Sequence, residues 1–283
     1  MVGICVLGSG SRGNCIYIGT GKAKILVDVG LSHRQTKLRL AKIGVKIEEL
    51  EAVVISHEHT DHVGGLKTIG RLENLSVYMN RRTAELIQYN RGELPANLSI
   101  FAGGEPFSIG DVTINPFQVL HDAVDPVGFE IDAAGEKVCV ATDLGYVTRL
   151  VKERIKESDY LILESNHDED MLKTDYRRPW HLKQRIMSKT GHLSNEAAGE
   201  CISETASEKL KTVFLAHLSQ DCNRPKIALK TMKGYLDRAG LAGVRVELTY
   251  QNRISNFVPF GGRIETRQRV SDEEAYIQTA AEI

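Results

Sequence analysis

The chain has 283 residues, 42% of them hydrophobic, and a net charge of −1, so it can bury a sizeable core but offers no overall attraction to nucleic acid or membrane. No apolar run approaches the roughly 20 residues that cross a bilayer, and Met1-Val2-Gly3-Ile4 lacks the basic start of a signal peptide. The five cysteines (Cys5, Cys15, Cys139, Cys201 and Cys222) form no Cys-x-x-Cys pair, which fits a reduced, cytoplasmic protein with no disulfide-linked partner.

In chain order, Val2 to Leu7 reads as a short buried strand. Gly8-Ser9-Gly10-Ser11-Arg12-Gly13 follows and matches the G-x-G-x-x-G dinucleotide fingerprint in form, with Asp28 imitating its ribose-binding acid. That fingerprint requires a helix after the glycines. Here Cys15 to Ile18, Gly19-Thr20-Gly21 and Lys24 to Val27 spell strand, turn and strand. The glycine loop is therefore read as a hairpin connection. Whether Ser9, Ser11, Arg12 or Asn14 meets a substrate stays open at this point. Residues 32–44 read as a basic helix capped by Ser32 and ended by Gly44.

The apolar run Ala52 to Ile55 stops at Ser56-His57-Glu58-His59-Thr60-Asp61-His62-Val63-Gly64-Gly65. Three histidines and an aspartate within six positions are ligand types for borderline divalent metals. His57 and His59, two apart, face the same way in an extended segment. A helix is expected from Gly64 to Leu72, a strand over 76–79, a helix over 81–90, and a meander of short strands through 98–119. Strands at 127–131 and 137–141 pair across Ala134-Gly135. A helix near 147–157, a strand at 160–163, a helix over 195–206, a strand at 212–216, a helix near 226–239 and a strand at 244–248 complete the pattern. One domain over 1–266 is expected, with a peripheral polar tail at 267–283.

His57, His121, Asp143 and His217 each stand just past the carboxyl end of an apolar strand, which is where ligands gather in layered α/β folds. Together with His59, Asp61 and His62 they supply seven N/O ligands. One ion cannot use seven and keep an open position; two can. The first is assigned to His57, His59 and His121, the second to Asp61, His62 and His217, with Asp143 between them. Two ions roughly 3.5–4 Å apart can hold a shared hydroxide and clamp both oxygens of a hydrolysis. Position 61 is Asp, which excludes H-E-x-x-H.

The order Asp28, the 57–62 cluster, His121, Asp143, His217 resembles that of the metallo-β-lactamase-fold hydrolases. That resemblance covers nearly the whole chain and implies an α/β fold, a four-layer αββα sandwich, with a dinuclear site at one edge of its sheets. It also implies that Asp28 orients the ligand loop from behind. His59 stands where oxygen-reducing di-iron relatives carry Glu, which argues against redox chemistry. A narrower resemblance, to the YycJ (WalJ) branch, rests on residues 7–15, Leu120-His121-Asp122-Ala123, Gly191-His192-Leu193-Ser194-Asn195 and residues 217–223. That branch is associated with exonuclease action on DNA.

Residues 177–192 add Arg177, Arg178, Lys183, Arg185 and Lys189 with Trp180 and no acid, groups that phosphates and stacked bases would use. A solvated helix face is the competing reading. His192 is the candidate for touching the scissile phosphate or protonating the leaving oxygen, and with Asp61 it forms the candidate catalytic pair. His167 ranks below it as a structural histidine, and His33 and His181 are read as surface residues. The expected function is a phosphodiesterase or nuclease, most specifically a DNA exonuclease, using two Zn²⁺ or Mn²⁺ ions and a bridging hydroxide. The alternatives are a small-molecule hydrolase of cyclic phosphodiesters or thioesters, and a non-catalytic binding protein stabilised by metal. β-Lactam hydrolysis lacks the support of a secretory signal.

Overall fold

The computed structural model describes residues 1–261; the expected tail at 267–283, and the domain end at 266, lie outside the described residues. Strands β1 (Gly3–Gly8), β2 (Cys15–Gly19), β3 (Lys24–Val27), β4 (Ala52–Val54), β5 (Ser76–Asn80) and β6 (Leu98–Phe101) lie side by side in chain order. Pairing is antiparallel from β1 to β3 and parallel from β3 to β6. A second sheet repeats the scheme with β7 (Phe107–Ile109), β8 (Val112–Gln118), β9 (Val127–Ala133), β10 (Glu136–Ala141), β11 (Tyr160–Glu164), β12 (Thr212–Ala216) and β13 (Arg245–Leu248). Its pairing is antiparallel up to β10 and parallel beyond. The short β14 (Val258–Pro259) returns to pair with β1.

The glycine loop joins two antiparallel strands, as its hairpin reading requires. The Ala134-Gly135 turn has positive φ at both residues (53° and 80°), the geometry that suits the twist of a two-residue hairpin. One expectation is corrected. The meander over 98–119 is divided between sheets: β6 closes the first sheet parallel to β5, and β7 and β8 open the second. Short strands separated by glycine turns look alike in sequence whether the chain folds back or crosses to the facing sheet.

Alternation along the strands sorts side chains between layers. Ala52 and Val54 of β4 enter the core between the sheets, where they join Ile25, Ile114, Phe129, Ile162 and Phe214. Val53 points outward to a second core with Leu40 and Ile87, carried by α1 (His33–Lys42) and α4 (Arg81–Arg91), with the short α2 (Thr60–Val63) and α3 (Leu66–Ile69) between them. The outer face of the second sheet sends Leu161, Leu163 and Leu215 against α5 (Arg149–Lys156), α8 (Asn195–Thr205) and α9 (Pro225–Arg238). Two short helices, α6 (Glu169–Thr174) and α7 (Trp180–Ile186), lie between β11 and α8, the second within the basic segment for which a helix face is one reading. The layers are helix, sheet, sheet, helix, as expected.

This arrangement brings strand ends together. Asp28 follows β3, His57 follows β4, His121 follows β8, Asp143 follows β10, Glu164 ends β11 and His217 follows β12. Strand β8 is two antiparallel steps from β10, so it runs the same way as β10, β11 and β12. Among the described residues no helix is long and apolar enough to cross a membrane.

Candidate metal centre

The ligand loop begins where β4 ends and turns into α2, whose first residues carry Asp61 and His62 inward. It is seated on glycine. A Cβ at Gly30 would stand 1.6 Å from the Asp61 carbonyl oxygen, and one at Gly65 would stand 2.2 Å from the Leu31 carbonyl. Asn14 closes the seat. Its N–H donates to the Asp61 carbonyl at 2.7 Å, and its side-chain amide lies 3.0 Å from Asp61 Oδ2 and 2.9 Å from His62 Nε2.

Four imidazoles share one arrangement. His57 Nδ1 lies 3.0 Å from Ser56 Oγ, His62 Nδ1 lies 2.7 Å from Asp28 Oδ2, His121 Nδ1 lies 3.2 Å from the Gly191 carbonyl and His217 Nδ1 lies 3.0 Å from Glu164 Oε1. A ring nitrogen engaged from behind leaves the other one to act as ligand. The Nε2 atoms of His57 and His217 and Oδ2 of Asp143 are buried without a hydrogen-bond partner, a state that costs stability unless a ligand satisfies it.

Ligand atoms of His57, His59 and His121 lie within 4.8 Å of one another, as do those of His57, His62 and Asp143. Asp61 Oδ2 is 3.5 Å from His62 Nε2 and 3.6 Å from His217 Nε2. Asp143 stands between these groups, its Oδ2 3.2 Å from His62 Nε2 and its Oδ1 4.0 Å from His121 Nε2. Asp143, Glu164, His192 and His217 form a further close group. Glu164 and Asp143 both approach His217 Nδ1, and the short Glu164 contact makes that carboxylate the orienter of His217. The donor set fits divalent metal, being rich in imidazole with few carboxylates.

Electrostatics follow the burial. Desolvation, reinforced by neighbouring His62, holds His57 well below the usual histidine range, so its ring is neutral and able to ligate. Burial works against Asp143, yet His217 and His62 beside it keep it well below the usual carboxylate range. In return Asp143 overcomes desolvation at His62 and His217 and raises both. Burial likewise opposes Glu164, but the charge of His192 and hydrogen bonds from His192 and His217 bring it down to about 2.

The residues named in the sequence divide clearly. His59, Asp61, His121, Asp143, His192 and His217 line one cleft of about 380 Å³, and Arg185 and Ser11 stand on its walls. His57 and His62 are buried at its floor. A larger groove of about 660 Å³, between α3, α4 and the 93–97 segment, contains none of these ligands. Arg177, Arg178 and Lys183, named as candidate substrate contacts, are each engaged within the chain and do not line this cleft. Arg178 pairs with Asp175 and Asp221, Arg177 pairs with the same two acids, and Lys183 is buried with its ammonium on the Lys173 carbonyl at 2.8 Å. Arg177 and Arg178 tie the turn before α7 to the loop after β12, and Lys183 ties α7 to the end of α6. Ser9 and Asn14 serve the ligands, with Ser9 Oγ accepting the His217 N–H at 2.7 Å.

A model of the beta-lactamase superfamily domain matches residues 23–217. Exodeoxyribonuclease YycJ of Bacillus anthracis is 36% identical over 236 residues, 83% of this chain and 89% of its own length. Exodeoxyribonuclease WalJ of Streptococcus pneumoniae is 36% identical over 245 residues, 86% of this chain and 90% of its own. The chain belongs to the beta-lactamase superfamily. The metallo-beta-lactamase fold protein YhfI from Bacillus subtilis superposes with a TM-score of 0.67 at 20% identity, over 89% of this chain and 98% of its own, which establishes the shared fold.

Within this superfamily fold Asp28 sits behind the ligand loop. It accepts the Ser56 N–H at 2.8 Å and the Ser56 hydroxyl, and it faces His62 Nδ1. Asp28→Asn keeps the size and removes the charge. Its expected outcome is a 10–100-fold loss of metal affinity, read by competition with a chromophoric chelator, with activity recovered at excess metal. Unchanged affinity would remove the orienting role. Glu164 is the residue that sequence reasoning missed. The signal was present, since it too ends an apolar strand.

Proposed function

We propose that the chain is a metal-dependent phosphodiesterase that degrades nucleic acid, DNA in particular, from an end. In this reading His57, His59 and His121 would hold one divalent ion, Zn²⁺ or Mn²⁺, and Asp61, His62 and His217 would hold a second, with Asp143 between the two sets. The observation that carries the reading is the set of back-tethered imidazoles converging on Asp143 at the floor of an accessible cleft. When bound, the ions supply Lewis acidity toward the phosphoryl oxygens and a water acidified enough to attack at neutral pH.

The chain's own groups do the rest. His192 lines the cleft with Nδ1 held 2.7 Å from Glu164 Oε1, so its other nitrogen is available to contact the phosphate or protonate the leaving oxygen. Asp61, hydrogen-bonded by Asn14, fixes one side of the reacting centre. Arg185 is paired with Asp122 at 2.5 Å on the cleft wall, and a substrate phosphate can take the place of that carboxylate. A small-molecule hydrolase calls for a closed apolar pocket; here the walls carry Ser11, Asp122 and Arg185, with Leu182 and Ile186 as the apolar members. Five buried free thiols favour a reducing, cytoplasmic setting.

The deciding experiment titrates the purified protein with zinc or manganese against end-labelled DNA, RNA and a small phosphodiester, with a chelated control. Stepwise shortening of DNA that chelation abolishes is the expected result. Brisk hydrolysis of the small ester with intact DNA under both metals would remove the nuclease reading.

A further inference from the structure

We propose that Tyr146, with Lys189 over one face, is a stacking platform for a nucleobase of the substrate strand, close in the chain to the metal centre. The inference rests on the nuclease reading and adds a contact that distinguishes a polynucleotide from a small phosphodiester. Tyr146 is 49% exposed and Leu120 39% exposed, and both adjoin residues of the centre. Leu120 precedes His121, and Tyr146 follows Asp143 by three residues, which limits their Cα separation to about 11 Å.

The two are joined. The Gly145 N–H donates to the Leu120 carbonyl at 3.0 Å. Gly145 itself is wedged against the turn that leads to His192, where a Cβ would meet the Ser188 carbonyl oxygen at 2.3 Å and the Gly191 nitrogen at 2.5 Å. The same turn places the Lys189 ammonium 5.3 Å from the centre of the Tyr146 ring. Lys189 has no ion-pair partner among the described residues. Tyr146 is thus an aromatic ring on a pinned backbone, half in water, with the Lys189 ammonium over one of its faces.

A half-exposed aromatic ring held three residues from Asp143 on a pinned turn offers an apolar face to a ligand that reaches the centre. A base has a face to match, and the adjoining backbone phosphate is the natural partner of Lys189. Arg185, on the cleft wall four residues before Lys189, continues the positive track toward the ligands. Base stacking on aromatics tolerates any sequence because every base has a π-face. The platform therefore confers grip on a strand without selecting its sequence.

The test compares wild type with Tyr146→Ala, Tyr146→Phe and Tyr146→Trp on a short single-stranded oligonucleotide and on bis(p-nitrophenyl) phosphate. A parallel series moves one abasic residue along the strand. Tyr146→Ala is expected to raise KM for the oligonucleotide about 5- to 100-fold, with kcat and small-ester hydrolysis within about twofold of wild type. Phenylalanine and tryptophan should restore binding. One abasic position should weaken wild type by a similar factor and leave Tyr146→Ala unaffected. Unchanged KM, equal losses on both substrates, or strictly additive abasic effects would overturn the platform while leaving the nuclease reading standing. A wild-type enzyme that hydrolyses the small ester and no oligonucleotide would overturn both.

Discussion

Replacing Asp143 with asparagine is expected to lower hydrolysis by about 10³-fold or more, the worth of several kcal/mol of Lewis-acid stabilisation, and to reduce bound metal. Asp143 is 3% exposed, with Oδ2 3.2 Å from His62 Nε2 and Oδ1 4.0 Å from His121 Nε2, so in the proposed reading it stands between both ion positions. Its φ of 55° is left-handed, a conformation that asparagine accepts more readily than most residues. The substitution therefore removes a carboxylate charge while leaving the backbone a residue that suits it. Metal content by elemental analysis, a thermal melt and the turnover number separate the effects. Full metal occupancy with a rate within tenfold of wild type would end the claim that Asp143 is shared.

His192→Ala is expected to lower turnover by about 10²–10⁴-fold, the usual range for a proton-transfer group, while metal content stays full. The histidine lines the cleft, and its ring centre lies 5.2 Å from that of His121 and 5.0 Å from that of His217. None of the back-tethers of the four oriented imidazoles comes from its side chain. Glu164 keeps contacts to the Leu144 N–H at 2.9 Å, the Leu193 N–H at 3.3 Å and His217, so its pocket retains partners. Metal loss would recast His192 as part of the binding set; an unchanged rate would make it a loop residue.

Four of the candidate ligands, His57, His121, Asp143 and His217, were legible because each follows an apolar strand, and His59, Asp61 and His62 because they crowd into the six positions from His57. Glu164 ends a strand as well, but a lone glutamate among 37 acids gives no hint of what surrounds it. Its meaning comes from His192 and His217, which lie 28 and 53 residues further along the chain. The surroundings of the basic segment were hidden for the same reason. Read linearly, residues 177–192 contain no acid, yet Asp175 stands just before them and Asp221 arrives from the loop after β12. Pairing across the fold engages Arg177 and Arg178 with those acids, and Arg185 is the arginine of the segment that lines the cleft, paired there with Asp122. The four-layer fold was legible through the family resemblance that the motif order carries, whereas the crossing between sheets after β6 was not, since a glycine turn carries no label for the sheet that follows.

The strand ends bear on how this protein can be improved. Asp28, Asp143 and His217 have φ of 61°, 55° and 55°, a region that costs non-glycine residues about 1–3 kcal/mol each. The chain accepts that strain at three of the residues that build its centre. A library ranked by heat resistance alone should drift toward glycine there, gaining robustness and shedding its chemistry. Stabilising work belongs instead in the helix layers, where tolerance and catalysis do not compete.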